Sequence, residues 1–247
     1  MSIYLPGVDA AYVRDRMSKA GGNEIDSGKF ASPESSAALA VNCFAWFHER
    51  PNLLPAFPSV TATYPATSVD VEFEARLPWP AGKHPWLDAF VVTPSHIIGV
   101  ESKRHEPFRD KKKIELSEAY DRPVWGQRMT LYEKMRDMLR SGEVRYRHLD
   151  AAQLVKHAFG LVTQARREER PAILLYLYAE PASLHARPLA KEVIELHRNE
   201  ARDFAARVLG DEVEFHHLSY RDWIESWRHD GADVRDHGAR VLETFQP

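Results

Sequence analysis

"WLDAFVVTPSHIIGVESK", residues 86–103, decides the fold. Two apolar runs flank Thr93-Pro94-Ser95-His96, a quartet that favours a tight turn, so the stretch reads as a β-hairpin. If the turn is symmetric, Asp88 on the first strand faces Glu101 on the second. Cross-strand neighbours bring their Cβ atoms to about 4.5–5.5 Å, and like charges so placed repel. Two carboxylates converging at a sheet end invite a cation or a shared proton. Lys103 lies two residues beyond Glu101, so strand periodicity sends both side chains to one face. Glu101-Ser102-Lys103 is the only Glu-x-Lys in the chain.

Outward from the hairpin, "SVDVEFEARLPW" (68–79) alternates. Val69, Val71, Phe73, Ala75 and Leu77 fall on one face, with Asp70, Glu72, Glu74 and Arg76 on the other, which predicts a half-buried strand. Glu72 and Glu74 share that polar face and could reach a metal if it turned towards the site; they are expected instead to meet solvent or a basic helix. "ASPESSAALAVNCFAWFHERP" (31–51) predicts a helix capped by Ser32 with Pro33 at its first position. Downstream, "LDAAQLVKHAFGLVTQARR" predicts a helix, with Asp150 as its cap, and "RPAILLYLYAEP" a strand covered on both faces. A long helix follows in "RPLAKEVIELHRNEARDFAARVLG", then a strand in "EVEFHHLSY" and a last helix in "RDWIESWRHD". Residues 1–30 read as a polar arm packed on the domain, and 105–149 as a charged, mostly helical insertion or lid. The expected whole is one α/β domain over residues 1–247, its first three strands consecutive antiparallel neighbours.

The chain has 247 residues, 44% of them hydrophobic, enough for one substantial core. Its net charge of −3 selects no class of partner, so any nucleic-acid contact must rest on local basic clusters. Cys43 is the single cysteine, which excludes an internal disulfide and argues against a thiolate zinc site. No basic start leads into an apolar stretch, and no apolar run approaches the roughly 20 residues of a membrane span. A soluble, cytoplasmic protein is expected. The twelve histidines show no ligand spacing: His216 and His217, adjacent in a strand, face opposite ways. No phosphate-cradling glycine loop and no Gly-x-Ser-x-Gly elbow occurs.

Asp88 followed by Glu101-Ser102-Lys103, within a helix–three-strand–helix–strand order, resembles the PD-(D/E)XK nuclease superfamily. The resemblance covers roughly residues 30–104 and 150–220. It implies a restriction-endonuclease-like mixed central β-sheet flanked by helices, with the helical insertion after the third strand. It further implies Mg²⁺-dependent (or Mn²⁺-dependent) phosphodiester hydrolysis. Asp88 is then the motif aspartate and metal ligand, Glu101 the second acid and metal ligand, and Lys103 the catalytic lysine. Leu87 stands where the motif's proline would be. Many members carry a further metal-holding acid on the first core helix; Glu34 is the candidate, with Glu24 its rival. Exonuclease-like members often carry a glutamine on the helix after the Glu-x-Lys strand, with an aromatic four residues on. Gln153 and His157 occupy those places, histidine replacing the usual tyrosine.

Directly after the motif, "KRHEPFRDKKK" supplies Arg104, Arg109, Lys111, Lys112 and Lys113, candidates with His157 for nucleic-acid contact. Glu106 and Asp110 dilute the cluster, and a solvated charged loop explains it about as well. Trp125, Tyr132 and Tyr146 offer stacking surfaces, but aromatics in a helical segment more often pack in a core. The expected function is a metal-dependent nuclease, DNA favoured over RNA. The alternatives are a non-cleaving nuclease-fold module that binds nucleic acid or a partner protein, and, more distantly, a retaining glycosidase using the paired acids. The oligomeric state, homodimer included, stays open.

Overall fold

A computed structural model describes residues 3–21, 24–80, 82–109 and 114–247. The hairpin is formed by β2 (Trp86–Val92) and β3 (Ile97–Lys103), closed by the Thr93 N–H donating to the His96 carbonyl at 2.8 Å. Its register runs from Val92↔Ile97 to Ala89↔Val100, and extended by one residue it sets Asp88 against Glu101. β1 (Ser68–Glu74) pairs antiparallel with β2. β4 (Ala172–Tyr178) joins β3 in parallel. The small pair β5 (Ser183–Leu184) and β6 (Arg187–Pro188) stands apart, and β7 (Val213–Ser219) completes the sheet beside β4. The order β1-β2-β3-β4-β7 makes a mixed five-stranded sheet, antiparallel at one side and parallel at the other.

Helices cover both faces. One face carries α1 (Ala10–Lys19), α2 (Ser36–Phe44), α7 (Tyr220–Ser226) and α8 (Ala232–Phe245). The other carries α4 (Thr130–Ser141), α5 (Ala151–Glu168) and α6 (Lys191–Val208); the single-turn α3 (Glu106–Arg109) follows β3. β4 is buried along its whole length, Ile173, Leu175 and Leu177 in the first core and Leu174, Tyr176 and Tyr178 in the second. α5 lies close on β3 because Gly99 has no side chain: a Cβ there would meet Leu161 Cδ1 at 2.7 Å.

Five expectations change. α2 starts at Ser36, capped by the Ser35 hydroxyl, which accepts from the Ala38 N–H at 3.0 Å. Ser32 instead closes a turn, its carbonyl accepting from the Ser35 N–H, so Glu34 precedes the helix rather than lying in its first turn. The N-terminal arm contains α1, capped by Asp9, with Val13 and Met17 buried. Arg16 of that helix donates to the carbonyls of Val71 (2.9 Å) and Glu72 (2.7 Å), covering the free edge of β1. The 105–149 segment builds the second core rather than a lid: Trp125, Met129, Tyr132 and Met135 are buried there. The chain also continues past the expected last helix into α8, where Val234, Val241 and Phe245 pack in the first core.

The fifth change lies in β1. Val69 and Val71 enter the first core, but Phe73, Ala75 and Leu77 pack with the second. Residues two apart in a strand should share a face. Glu72 breaks the alternation with φ +48°, a left-handed conformation that a non-glycine residue seldom adopts. β2 reverses at the facing position, with Ala89 in the first core and Leu87 in the second.

Candidate active site

The site forms where the β2–β3 ladder runs out. Beyond Ala89↔Val100 the Asp88 side chain takes over: its Oδ2 accepts the Ser102 N–H at 2.6 Å. Glu101 and Lys103, two residues apart on β3, form an ion pair on the face covered by α5. From α5, His157 Nδ1 comes to 3.0 Å from the second oxygen, Glu101 Oε2. Asp88, Glu101 and Lys103 are thus gathered with His157 at one end of the sheet. Glu101 is 1% exposed, whereas Asp88 and Lys103 keep part of their surface open to solvent.

The charges are unequal. Burial pushes the Asp88 carboxyl well above its ordinary range and Glu101 pushes it further, against the pull of Lys103. Burial would raise Glu101 as well, but Lys103 and His157 together hold it down at about 2. Burial would lower the Lys103 ammonium; Glu101, Asp88 and Glu106 outweigh it and hold the proton on. The pattern is one ionised acid locked to a lysine and a second acid short of positive charge.

Other candidates fall elsewhere. Glu34 pairs with Arg109 (3.7 Å) and accepts the His185 N–H (3.2 Å), away from Asp88 and Glu101. Glu24, its rival, comes within electrostatic reach of Glu72. Gln153 is half-buried near the start of α5, one turn before His157. Arg104 is 7% exposed; its guanidinium donates to the carbonyls of Pro33 and Phe245, which leaves little surface for a phosphate. His157, at 2% exposure, offers less still. Arg109 stands at the surface, and Lys111, Lys112 and Lys113 lie outside the described residues. Trp125 and Tyr132 are core residues, and the Tyr146 hydroxyl donates to Asp203 at 2.6 Å.

Two further acids stand near the site, Glu106 unforeseen and Glu72 expected to face solvent. Glu106 accepts the Arg104 N–H at 3.0 Å and the Ser36 hydroxyl, and it supports the charge of Lys103. The signal was an acid three residues after the lysine. Glu72 lies between the pairs Val71↔Ala89 and Phe73↔Leu87, directly opposite Asp88. Burial, then Glu24 and Glu101, raise its carboxyl to about 7.

In chemistry the set fits a hard divalent cation. The donors are carboxylate oxygens, and at Asp88 burial and Glu101 outweigh the pull of Lys103, so a further cation would be welcome there. Among the described residues no three His, Cys, Asp or Glu side chains close into a ready-made cage. An ion would therefore be shared by Asp88 and Glu101 and keep much of its water, as Mg²⁺ commonly does.

A mixed sheet flanked by helices on both faces defines an α/β fold of the restriction-endonuclease-like class. The chain belongs to the family described as restriction endonuclease associating with ARP, whose model matches residues 5–245. Neither a curated protein nor a solved structure matches it. No helix among the described residues is long and apolar enough to cross a membrane.

Proposed function

We propose that this protein is a metal-dependent nuclease of the PD-(D/E)XK kind that hydrolyses phosphodiester bonds, DNA before RNA. The observation that carries the reading is the convergence of Asp88, Glu101 and Lys103 at one sheet end, with Asp88 and Lys103 still reachable from solvent. Asp88 and Glu101 would hold Mg²⁺ or Mn²⁺, which supplies Lewis acidity to the scissile phosphate and lowers the pKa of bound water. Lys103, kept protonated by its acidic neighbours, orients the attacking water and steadies the negative charge that grows on the phosphate. His157 fixes the rotamer of Glu101 from behind, and Asp88 is fixed by the Ser102 N–H.

The test uses purified protein with Mg²⁺ or Mn²⁺ on single- and double-stranded DNA and RNA, beside Lys103→Ala and Asp88→Ala. Cleavage by wild type and loss in both variants is expected. Equal cleavage by all three would expose a contaminant and end the assignment.

One observation favours a second reading, a nuclease-fold module that binds without cutting. Glu101 is already engaged by Lys103 and His157. The family's description also speaks of association with ARP, so an ARP partner belongs to either reading. Calorimetric metal titration separates them: retained nucleic-acid binding with no divalent binding favours the module.

A further inference from the structure

We propose that Glu72 is the third acid of this cation site, holding the ion through its water shell from the strand opposite Asp88. The inference rests on the metal-dependent reading above.

Register and backbone conformation together place it. The register sets Glu72 against Asp88 across β1 and β2, and both strands reverse their faces at that pair. Glu72 adopts φ +48° without being glycine, and the Arg16 guanidinium grips the carbonyls on either side of its amide group, at Val71 and Glu72. An ordinary extended residue here would keep the simple alternation of β1, with Phe73 on the face of Val71. The distortion instead leaves Glu72 half-buried and under the influence of both Glu101 and Lys103. A left-handed non-glycine residue is strained and persists only where its surroundings hold it, and such residues gather at functional sites.

The charge count points the same way. Glu72, Asp88 and Glu101 all feel Lys103, with Arg16 near Glu72 and His157 beside Glu101 as the other basic groups. A fold with nothing to bind would gain by replacing one of these acids with an amide. Because the three carboxylates do not close on a bare ion, Glu72 acts at one remove, accepting hydrogen bonds from cation-bound water. That is the place expected of Glu34, which the structure engages with Arg109 and His185 instead.

The experiment is Mn²⁺ titration of the full chain by calorimetry, with thermal unfolding in chelator as the second readout. The variants are Glu72→Gln, Glu72→Asp and Asp88→Asn. Wild type binds Mn²⁺, Asp88→Asn does not, Glu72→Gln binds about tenfold or more weakly, and Glu72→Asp recovers part of the loss. Cation-free Glu72→Gln melts at or above wild type, because a buried repulsion is gone. Wild-type affinity in Glu72→Gln, with binding lost in Asp88→Asn, overturns the role of Glu72 and leaves the nuclease reading standing. Weaker binding together with a lower melting temperature in chelator makes Glu72 structural and overturns the inference too. No Mn²⁺ binding by wild type overturns both.

Discussion

The two sides of the sheet are built to different standards. On the parallel side, β3, β4 and β7 pair without interruption, Ile97↔Ala172 to Lys103↔Tyr178 and Ala172↔Val213 to Tyr178↔Ser219. On the antiparallel side, β1 and β2 reverse faces midway, at Glu72 and Asp88, and the ladder to β3 stops short of Asp88. The regular side supplies rigidity through apolar burial. The irregular side brings acids to one place, which alternation alone would have scattered. β3 belongs to both sides and carries Glu101 and Lys103, so the candidate chemistry sits on the seam.

That contrast can be broken or sharpened by experiment. The largest effect is expected on the seam: Lys103→Ala should lower Mg²⁺-dependent cleavage by about 10²–10³-fold, read in single-turnover assays on labelled DNA. Variants that cleave as well as wild type would show the irregularity to be unrelated to catalysis. On the regular side, Leu174→Ala opens a cavity in the second core and should cost about 2–5 kcal/mol in urea unfolding, with Mn²⁺ affinity unchanged.

A pH experiment tests the face away from α5. Burial holds the His237 ring down at about 4, with Arg240 and Arg50 adding to the effect, while the ring stacks on Trp46 at 4.6 Å. Its folded pKa is depressed, so the unfolded chain binds more protons between about 6.5 and about 4. His237 therefore contributes stability that is complete above the unfolded pKa and drains away as pH falls through that window. His237→Phe, which keeps a ring against Trp46, should flatten that part of the unfolding curve. An unchanged acid limb would remove His237 as its cause. The smallest effect belongs to the arm: Asp9→Ala, which removes the cap of α1, should cost about 1 kcal/mol in urea unfolding. A larger loss would mean that Arg16, and not β1 itself, holds the distorted edge in place.

Much of this was legible in the residues. The turn at Thr93–His96 gave the hairpin its register, and the register gave Asp88 and Glu101 their meeting. The unbroken apolar run of β4 announced a strand buried on both faces. The arm helix was also there to be read, in Asp9 as cap and Val13 and Met17 one turn apart. So was α8, in the spacing of Val234, Val241 and Phe245. Glu72 was not. No glycine marks the left-handed turn, and the period-two pattern of residues 68–77 describes a regular strand that the fold does not make. Arg104 misled for a related reason. Within a basic run it reads as solvated, and only the third dimension supplies the Pro33 and Phe245 carbonyls that bury it.

Gly99 has a consequence beyond close packing. Leu161, whose methyl groups occupy the space of its missing side chain, lies one helical turn after His157 on α5. The gap between His157 and Glu101 is therefore gauged at a neighbouring rung by an absence of atoms. A single methyl group at residue 99 would act as a shim under the helix, lifting the imidazole from the carboxylate while altering neither of them.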